Sequence, residues 1–241
     1  MKEKSLLLIL KSSVNDLCRN VILAILGLIM AVFLFLLSKL SVILNYKLQT
    51  TFLLSSWLVL FILVSIGVLS FFFSGLIGIC ALIISGKKTG FKDFLRNSNK
   101  FWLRNFVIIL IIGAAGFLIG RAAHYLALYI GKGIGLELKA AQILFFLLYL
   151  AGLIGLLIFL TFSSFYLILY NYSMKDSIKK STKLVKVEYS NTICILLLFF
   201  VIYGILHLIN YENIRLLIES LLIIPYFALV LTRFVLEFGE R

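Results

Sequence analysis

Aspartate is scarce in this sequence. Only Asp16, Asp93 and Asp176 occur, and acidic residues of both kinds number 10 against 23 Lys and Arg in 241 residues. Three scattered aspartates make no paired-carboxylate or metal-binding motif. Proline is nearly absent, with Pro225 alone, and the three cysteines, Cys18, Cys80 and Cys194, stand at no metal or redox spacing. In the topology argued below they fall near the cytoplasmic side, where thiols stay reduced, so neither a disulfide nor a structural metal is expected. A glycine-rich phosphate loop with its lysine is missing, as is a Gly-x-Ser-x-Gly elbow. These absences predict a protein that is not an enzyme and carries no cofactor and no metal.

Hydrocarbon fills the chain instead. Apolar residues make up 63% and charged residues 14%, and the mean hydropathy is +1.14. An average soluble domain has roughly 45–50% apolar and 25% charged residues. No soluble fold of this length could hide the surplus, whereas a helix in a bilayer satisfies its own backbone and can present an apolar side chain at every position. The apolar runs lack the period-two alternation of barrel strands, so helices are predicted. A net charge of +13 would suit nucleic acid. Its distribution does not, because the cations collect in short segments between apolar runs, and no nucleic-acid partner is expected. The apolar stretch at 6–10 is too short for a signal-peptide core, so the chain is expected to keep its start.

Spanning about 30 Å of hydrocarbon takes about 20 helical residues. Six runs qualify, at 21–44, 51–85, 106–130, 138–172, 191–209 and 214–238. The second and fourth are long for one crossing, which predicts tilt, protrusion, or a kink near Gly75 and Gly78 or near Gly152 and Gly155; a re-entrant break is the functional alternative. With the N-terminus inside, 17 Lys and Arg fall on the cytoplasmic side against 5 on the other, with Arg121 inside a span. That asymmetry predicts a multi-pass protein of the cell membrane with both termini cytoplasmic.

Three basic segments precede spans. In 91–105, Phe91, Phe94, Leu95, Phe101 and Trp102 recur at helical spacing, opposite a stripe of Lys92, Arg96, Lys100 and Arg104. The segment 174–189 opens on a capping pair, Ser173 and Asp176, and carries Lys175, Lys179, Lys180, Lys183 and Lys186. The third is N-terminal, with Leu6, Leu10, Val14 and Leu17 on one face. Leu10-Lys11-Ser12-Ser13, Leu95-Arg96-Asn97-Ser98 and Ile178-Lys179-Lys180-Ser181 align at separations of 85 and 83 residues. Such a repeat would divide the single membrane domain, 1–241, into units 1–86, 87–172 and 173–241, each a surface helix followed by a transmembrane hairpin. The expected fold is therefore all-α: a polytopic membrane bundle of six transmembrane helices with cytoplasmic amphipathic interfacial helices and a candidate threefold internal repeat.

The run Lys175-Asp176-Ser177-Ile178-Lys179-Lys180-Ser181-Thr182-Lys183-Leu184-Val185-Lys186, echoed by Phe91-Lys92-Asp93-Phe94-Leu95, resembles a loose group of six-helix prokaryotic membrane proteins. That group includes the membrane domain fused to some glycerophosphodiester phosphodiesterases. The resemblance implies a fold. It carries no catalytic signature, and phosphodiesterase chemistry is not expected of this chain.

Polar residues inside spans are costly and so mark candidate sites. Arg121 lies about 22 Å and His124 about 27 Å from the inner end of the third span. His207, Gln142 and Glu219 reach a similar outer level on three other helices. Arg121 with Glu219 is the expected ion pair. The five form either a structural latch or a binding site for an anionic headgroup or solute, the latter being the basis of a transporter alternative. Lys92, Arg96, Lys100, Arg104, Lys175, Lys179 and Lys183 are candidates for contact with anionic lipid headgroups or a docked partner, whether another protein or a second copy of the chain. The primary functional expectation is a role in membrane or envelope organisation, in lipid interaction, or as a partner subunit.

Overall fold

The computed structural model describes residues 6–47, 51–133 and 138–239. Lys2, Lys4 and Arg241, counted above on the cytoplasmic side, lie outside the described residues. Every regular element described is helical: α1 (Leu6–Arg19), α2 (Val21–Lys47), α3 (Thr51–Ile84), α4 (Phe91–Gly133), α5 (Leu138–Leu160), α6 (Ser163–Leu169), α7 (Met174–Val187), α8 (Tyr189–His207), α9 (Glu212–Ile218) and α10 (Ile224–Phe238), with a π-helical turn, Glu219–Ile223, between the last two. Six stretches are long and apolar enough to cross a membrane: Val21–Leu40, Val59–Ile84, Phe91–Ile130, Gln142–Leu169, Tyr189–His207 and Glu212–Phe238. The protein is an all-α polytopic bundle.

The two overlong runs are resolved differently. α3 is one uninterrupted helix of 34 residues, about 50 Å, with no break at its glycines. The fourth run is interrupted at Thr161 and Phe162, beyond Gly152 and Gly155, and restarts as α6. A broken helix leaves carbonyls without intrahelical partners. Ser181 of α7 donates its hydroxyl to one in the last turn of α5, that of Phe159, at 2.7 Å. Tyr166 and Tyr170 of α6 donate to the carbonyls of Gly239 (2.9 Å) and Val235 (3.4 Å) at the end of α10. The chain then leaves α6 through Asn171 at φ 54°, a left-handed position asparagine tolerates better than most residues.

One expected surface helix is not separate. α1 parts from α2 at Asn20 and α7 from α8 at Glu188, but 91–105 runs without a break into its span, giving a 43-residue α4 about 64 Å long, more than twice the hydrocarbon thickness. Asn105 occupies the position that aligns with Asn20 and Glu188. Asn20 turns its amide back to the Asp16 carbonyl (2.7 Å), whereas Asn105 is fully buried and donates across the helix interface to the Ser70 carbonyl (3.4 Å). Ser70 in turn donates to the Trp102 carbonyl (2.8 Å), so α3 holds α4 continuous through this point.

The packed core gathers at the end of the bundle that carries the basic segments. Ile9, Ile77, Phe101, Ile108, Phe162, Tyr166, Leu184 and Phe234 belong to one buried cluster, and Leu23, Leu26, Met30, Leu76, Phe94 and Leu229 to a second. Each basic helix leans on a span: α1 on α10, α4 on α3, and α7 on α6. Ser13, Ser98 and Ser181, the serines of the aligned motif, are all fully buried. At the α3–α4 contact a Cβ on Gly75 would lie 2.3 Å from Ser98 Oγ, and one on Gly78 2.4 Å from the Asn97 side chain, so both glycines permit close approach. The far half is apolar without being buried. Val59, Leu60, Val64, Phe146, Leu147, Phe200 and Val201 are all exposed, as hydrocarbon-facing residues would be.

Two contacts fix how the ends of the chain close on this core. Asp16 of α1 accepts a charge-assisted bond from Nη2 of Arg233 on α10, the two side chains being only 20% and 14% exposed. The π turn packs on α2. There, the Ile224 amide donates to the Glu219 carbonyl, and Pro225 has no amide to offer. The Ser220 carbonyl therefore loses both of its usual intrahelical donors and points at Gly27, where an added Cβ would sit 2.5 Å from it.

Candidate functional site

The five outer polar residues do not converge. Arg121 spends its guanidinium on its own helix, donating from Nη2 to the Tyr125 hydroxyl at 2.9 Å with its Cζ 5.3 Å from that ring's centroid. His124 meets Tyr125 and, across to α5, Phe145 at a ring distance of 5.8 Å. His207 stacks near Tyr203 at 4.5 Å and shares a contact of 3.2 Å with its carbonyl, while Gln142 is exposed. Glu219 is half-buried and opens the π turn. Among the described residues no hydrogen bond or ion pair joins any two of the five, and the Arg121–Glu219 pair is not formed. The reason is topological: α4 packs along α3 and α5, whereas the π turn that carries Glu219 packs on α2 and α10. Because Arg121 is exposed and its partners lie on its own helix, Arg121→Met is expected to change unfolding stability by no more than about 0.5 kcal/mol. Denaturant titration in mixed micelles reads this directly, and a loss of several kcal/mol would restore the latch.

The basic end is arranged quite differently. Lys92, Arg96, Lys100, Arg104, Lys175, Lys179 and Lys183 are all exposed, while the opposite faces of their helices are buried through Phe94, Ser98 and Phe101 on α4 and Ser177, Ser181, Leu184 and Val185 on α7. On α4 three of the four cations have partners, Arg96 with Asp93 at 3.2 Å, Arg104 with the Asn171 side-chain oxygen at 3.3 Å and Lys100 with the Phe101 ring, 4.8 Å from Nζ to centroid. The Arg104 contact ties α4 to the loop between α6 and α7. On α7 the capping pair forms as its spacing predicts: Ser173 Oγ accepts from the Asp176 amide (3.2 Å) and donates to its carboxylate (2.5 Å). Lys179, Lys180, Lys183 and Lys186 line a groove of about 700 Å³ together with Tyr172, Asp176 and Thr182. The ring of Tyr172 lies under Lys180, 5.6 Å from Nζ to centroid, and stacks on Tyr166 and Tyr170.

Between α3, α4, α6 and α10 lies a second hollow of about 280 Å³, lined by Phe73, Ile77, Phe165 and Phe227 among others, with Asn105, Thr161 and Ser164 as its polar members. Its lining offers no charged side chain and no nucleophile with a base beside it. Among the described residues no three His, Cys, Asp or Glu side chains gather as metal ligands, and all three cysteines are free.

No protein-family model matches the chain, and neither a curated protein nor a solved structure matches it. Function is accordingly argued from the geometry of the basic end. Sequence reasoning located its cations on α4 and α7 but missed two features. Tyr172 was counted as the end of a span, although three tyrosines within seven residues next to a lysine run signal an aromatic floor. Arg233 enters the tally only as one of the 17 cytoplasmic cations, although an arginine in the apolar run of α10 calls for a buried acid, and Asp16 lies on the amphipathic helix facing it.

Proposed function

We propose that this multi-pass protein is non-enzymatic, that it resides in the cell membrane with its basic end in the cytoplasm, and that this end holds anionic lipid headgroups as part of membrane or envelope organisation. The observation that carries the reading is the exposure of seven cations on helices whose other faces are sunk in the best-packed part of the core. Rigid anchoring matters because the backbone that carries these cations is already ordered, so only side-chain freedom is lost when one meets a phosphate. Each Lys or Arg near an anionic leaflet contributes about 1 kcal/mol, and the sum fades over a Debye length.

The test is reconstitution into nanodiscs of mixed zwitterionic and anionic lipid, followed by analysis of the lipid that stays with the protein. Anionic lipid is expected to be enriched at low salt. Replacing Lys92, Lys100, Lys175 and Lys179 by Gln together should weaken the enrichment by at least about tenfold, since four such contacts sum to about 4 kcal/mol before losses to screening. A retained pool with the bulk composition, unmoved by salt, would sink the reading.

A further inference from the structure

We propose that the groove on α7 is a discrete site for a lipid whose headgroup carries two phosphates. The inference rests on the reading that the basic end faces anionic lipid, and it names one place and one headgroup class within it.

Charge balance is the first argument. Lys179, Lys183 and Lys186 fall within one arc of α7, and like charges one turn apart repel. On α4 the comparable stripe is relieved by Asp93 and by the Asn171 oxygen. Along the α7 groove the single acid, Asp176, is already bonded to Ser173 in the helix cap, and among the described residues no carboxylate lies within ion-pair distance of Lys179, Lys180, Lys183 or Lys186. Four ammonium groups thus share one concavity with no counter-charge among the described residues.

Size is the second argument. Lys179 and Lys186 are seven residues apart, about 10 Å along the helix axis. One phosphodiester cannot reach both ends of that row, whereas two phosphates joined by a short bridge can each take a pair of lysines. Tyr172 supplies a floor. Its ring holds Lys180 from below and stacks on the buried Tyr166 and the half-buried Tyr170, and the Arg104–Asn171 bond pins the loop from which it projects. Lysine recognises phosphate as a point charge and makes no bidentate demand, so a flexible double headgroup is accommodated without a rigid fork.

The experiment uses the full chain in detergent and counts bound lipid by native mass spectrometry. Cardiolipin is the two-phosphate probe, phosphatidylglycerol the one-phosphate probe at equal total phosphate, phosphatidylcholine the zwitterionic control, and inorganic pyrophosphate the soluble competitor. Wild type should bind cardiolipin at least about fivefold more tightly per phosphate than phosphatidylglycerol. Lys179→Gln with Lys183→Gln should lose about tenfold or more of the cardiolipin affinity, at about 1.4 kcal/mol per decade. Lys87→Gln with Lys88→Gln, exposed between α3 and α4 and outside the seven cations assigned to headgroup contact, should lose no more than about twofold, and unchanged helicity in both variants checks the fold. Equal affinity per phosphate for the two lipids, or equal losses in the two double variants, would overturn the discrete site while leaving the general attraction of the basic end intact. Displacement of cardiolipin by pyrophosphate at matched phosphate concentration would overturn the lipid as occupant. Failure of both anionic lipids to exceed phosphatidylcholine would overturn the proposed function together with this site.

Discussion

Arg233→Met is expected to destabilise the protein by about 2–3 kcal/mol, and Asp16→Asn in the same background to return most of that loss. Breaking a fully buried ion pair costs about 3–5 kcal/mol, because the remaining charge is left unpaired in a low dielectric. Here both side chains keep some contact with the outside, at 14% and 20% exposure, so the lower figure applies. Removing both charges leaves neither member of the pair uncompensated, and it also removes Arg233 Nε, a buried donor without a partner among the described residues. A double-mutant cycle measured by unfolding in mixed micelles isolates the coupling. Additive losses, with no recovery in the double variant, would mean that α1 is held on α10 by apolar contact alone.

Gly27→Ala should cost about 3 kcal/mol, an unusual figure for one methyl group. The methyl would lie 2.5 Å from the Ser220 carbonyl oxygen and 2.8 Å from Leu221 Cα. Both are backbone atoms, so no rotamer change can make room and α2 must separate from the π turn. Gly113→Ala is the internal control, since a Cβ there meets nothing within 4 Å. It should stay within about 1 kcal/mol of wild type, alanine being the better helix former. Equal effects at the two positions, again read by unfolding in micelles, would show that the α2 contact is not tight.

Gly27 also marks where reading along the chain runs out. Gly75 and Gly78 make no kink and serve close helix packing, because two glycines a turn apart in an apolar run signal an interface whatever the partner. Gly116 and Gly120 stand at the spacing of a packing motif, yet their added Cβ atoms would meet only the side chains of Leu153, Leu156 and Tyr149 at 3.2 Å or more, and the tight glycine on the facing helix is Gly152, whose added Cβ would lie 2.5 Å from Ile119. Gly27 stands alone in its run, and its need for a bare Cα arises 193 residues later, at the Ser220 carbonyl that Pro225 leaves without a donor.

Sequence alone determined the class of fold and the placement of charge. Apolar runs of span length read as helices because a bilayer leaves the backbone no other way to satisfy itself, and basic residues gather at one end because the apolar runs cannot hold them. The six-helix bundle, the glycines of the α3–α4 contact and the α7 cap were legible on those grounds. Tertiary structure decided what touches what: that 91–105 continues into its span because Asn105 bonds Ser70, that Asp16 finds Arg233 across 217 positions, that Arg121 and Glu219 stay apart, and that Tyr172 floors the lysine groove. The physical reason is the same in each case. Hydropathy is a property of a segment and its solvent, whereas a buried pair, a freed carbonyl or a clustered charge depends on which helices become neighbours, and uniformly apolar surfaces hold almost no record of that choice.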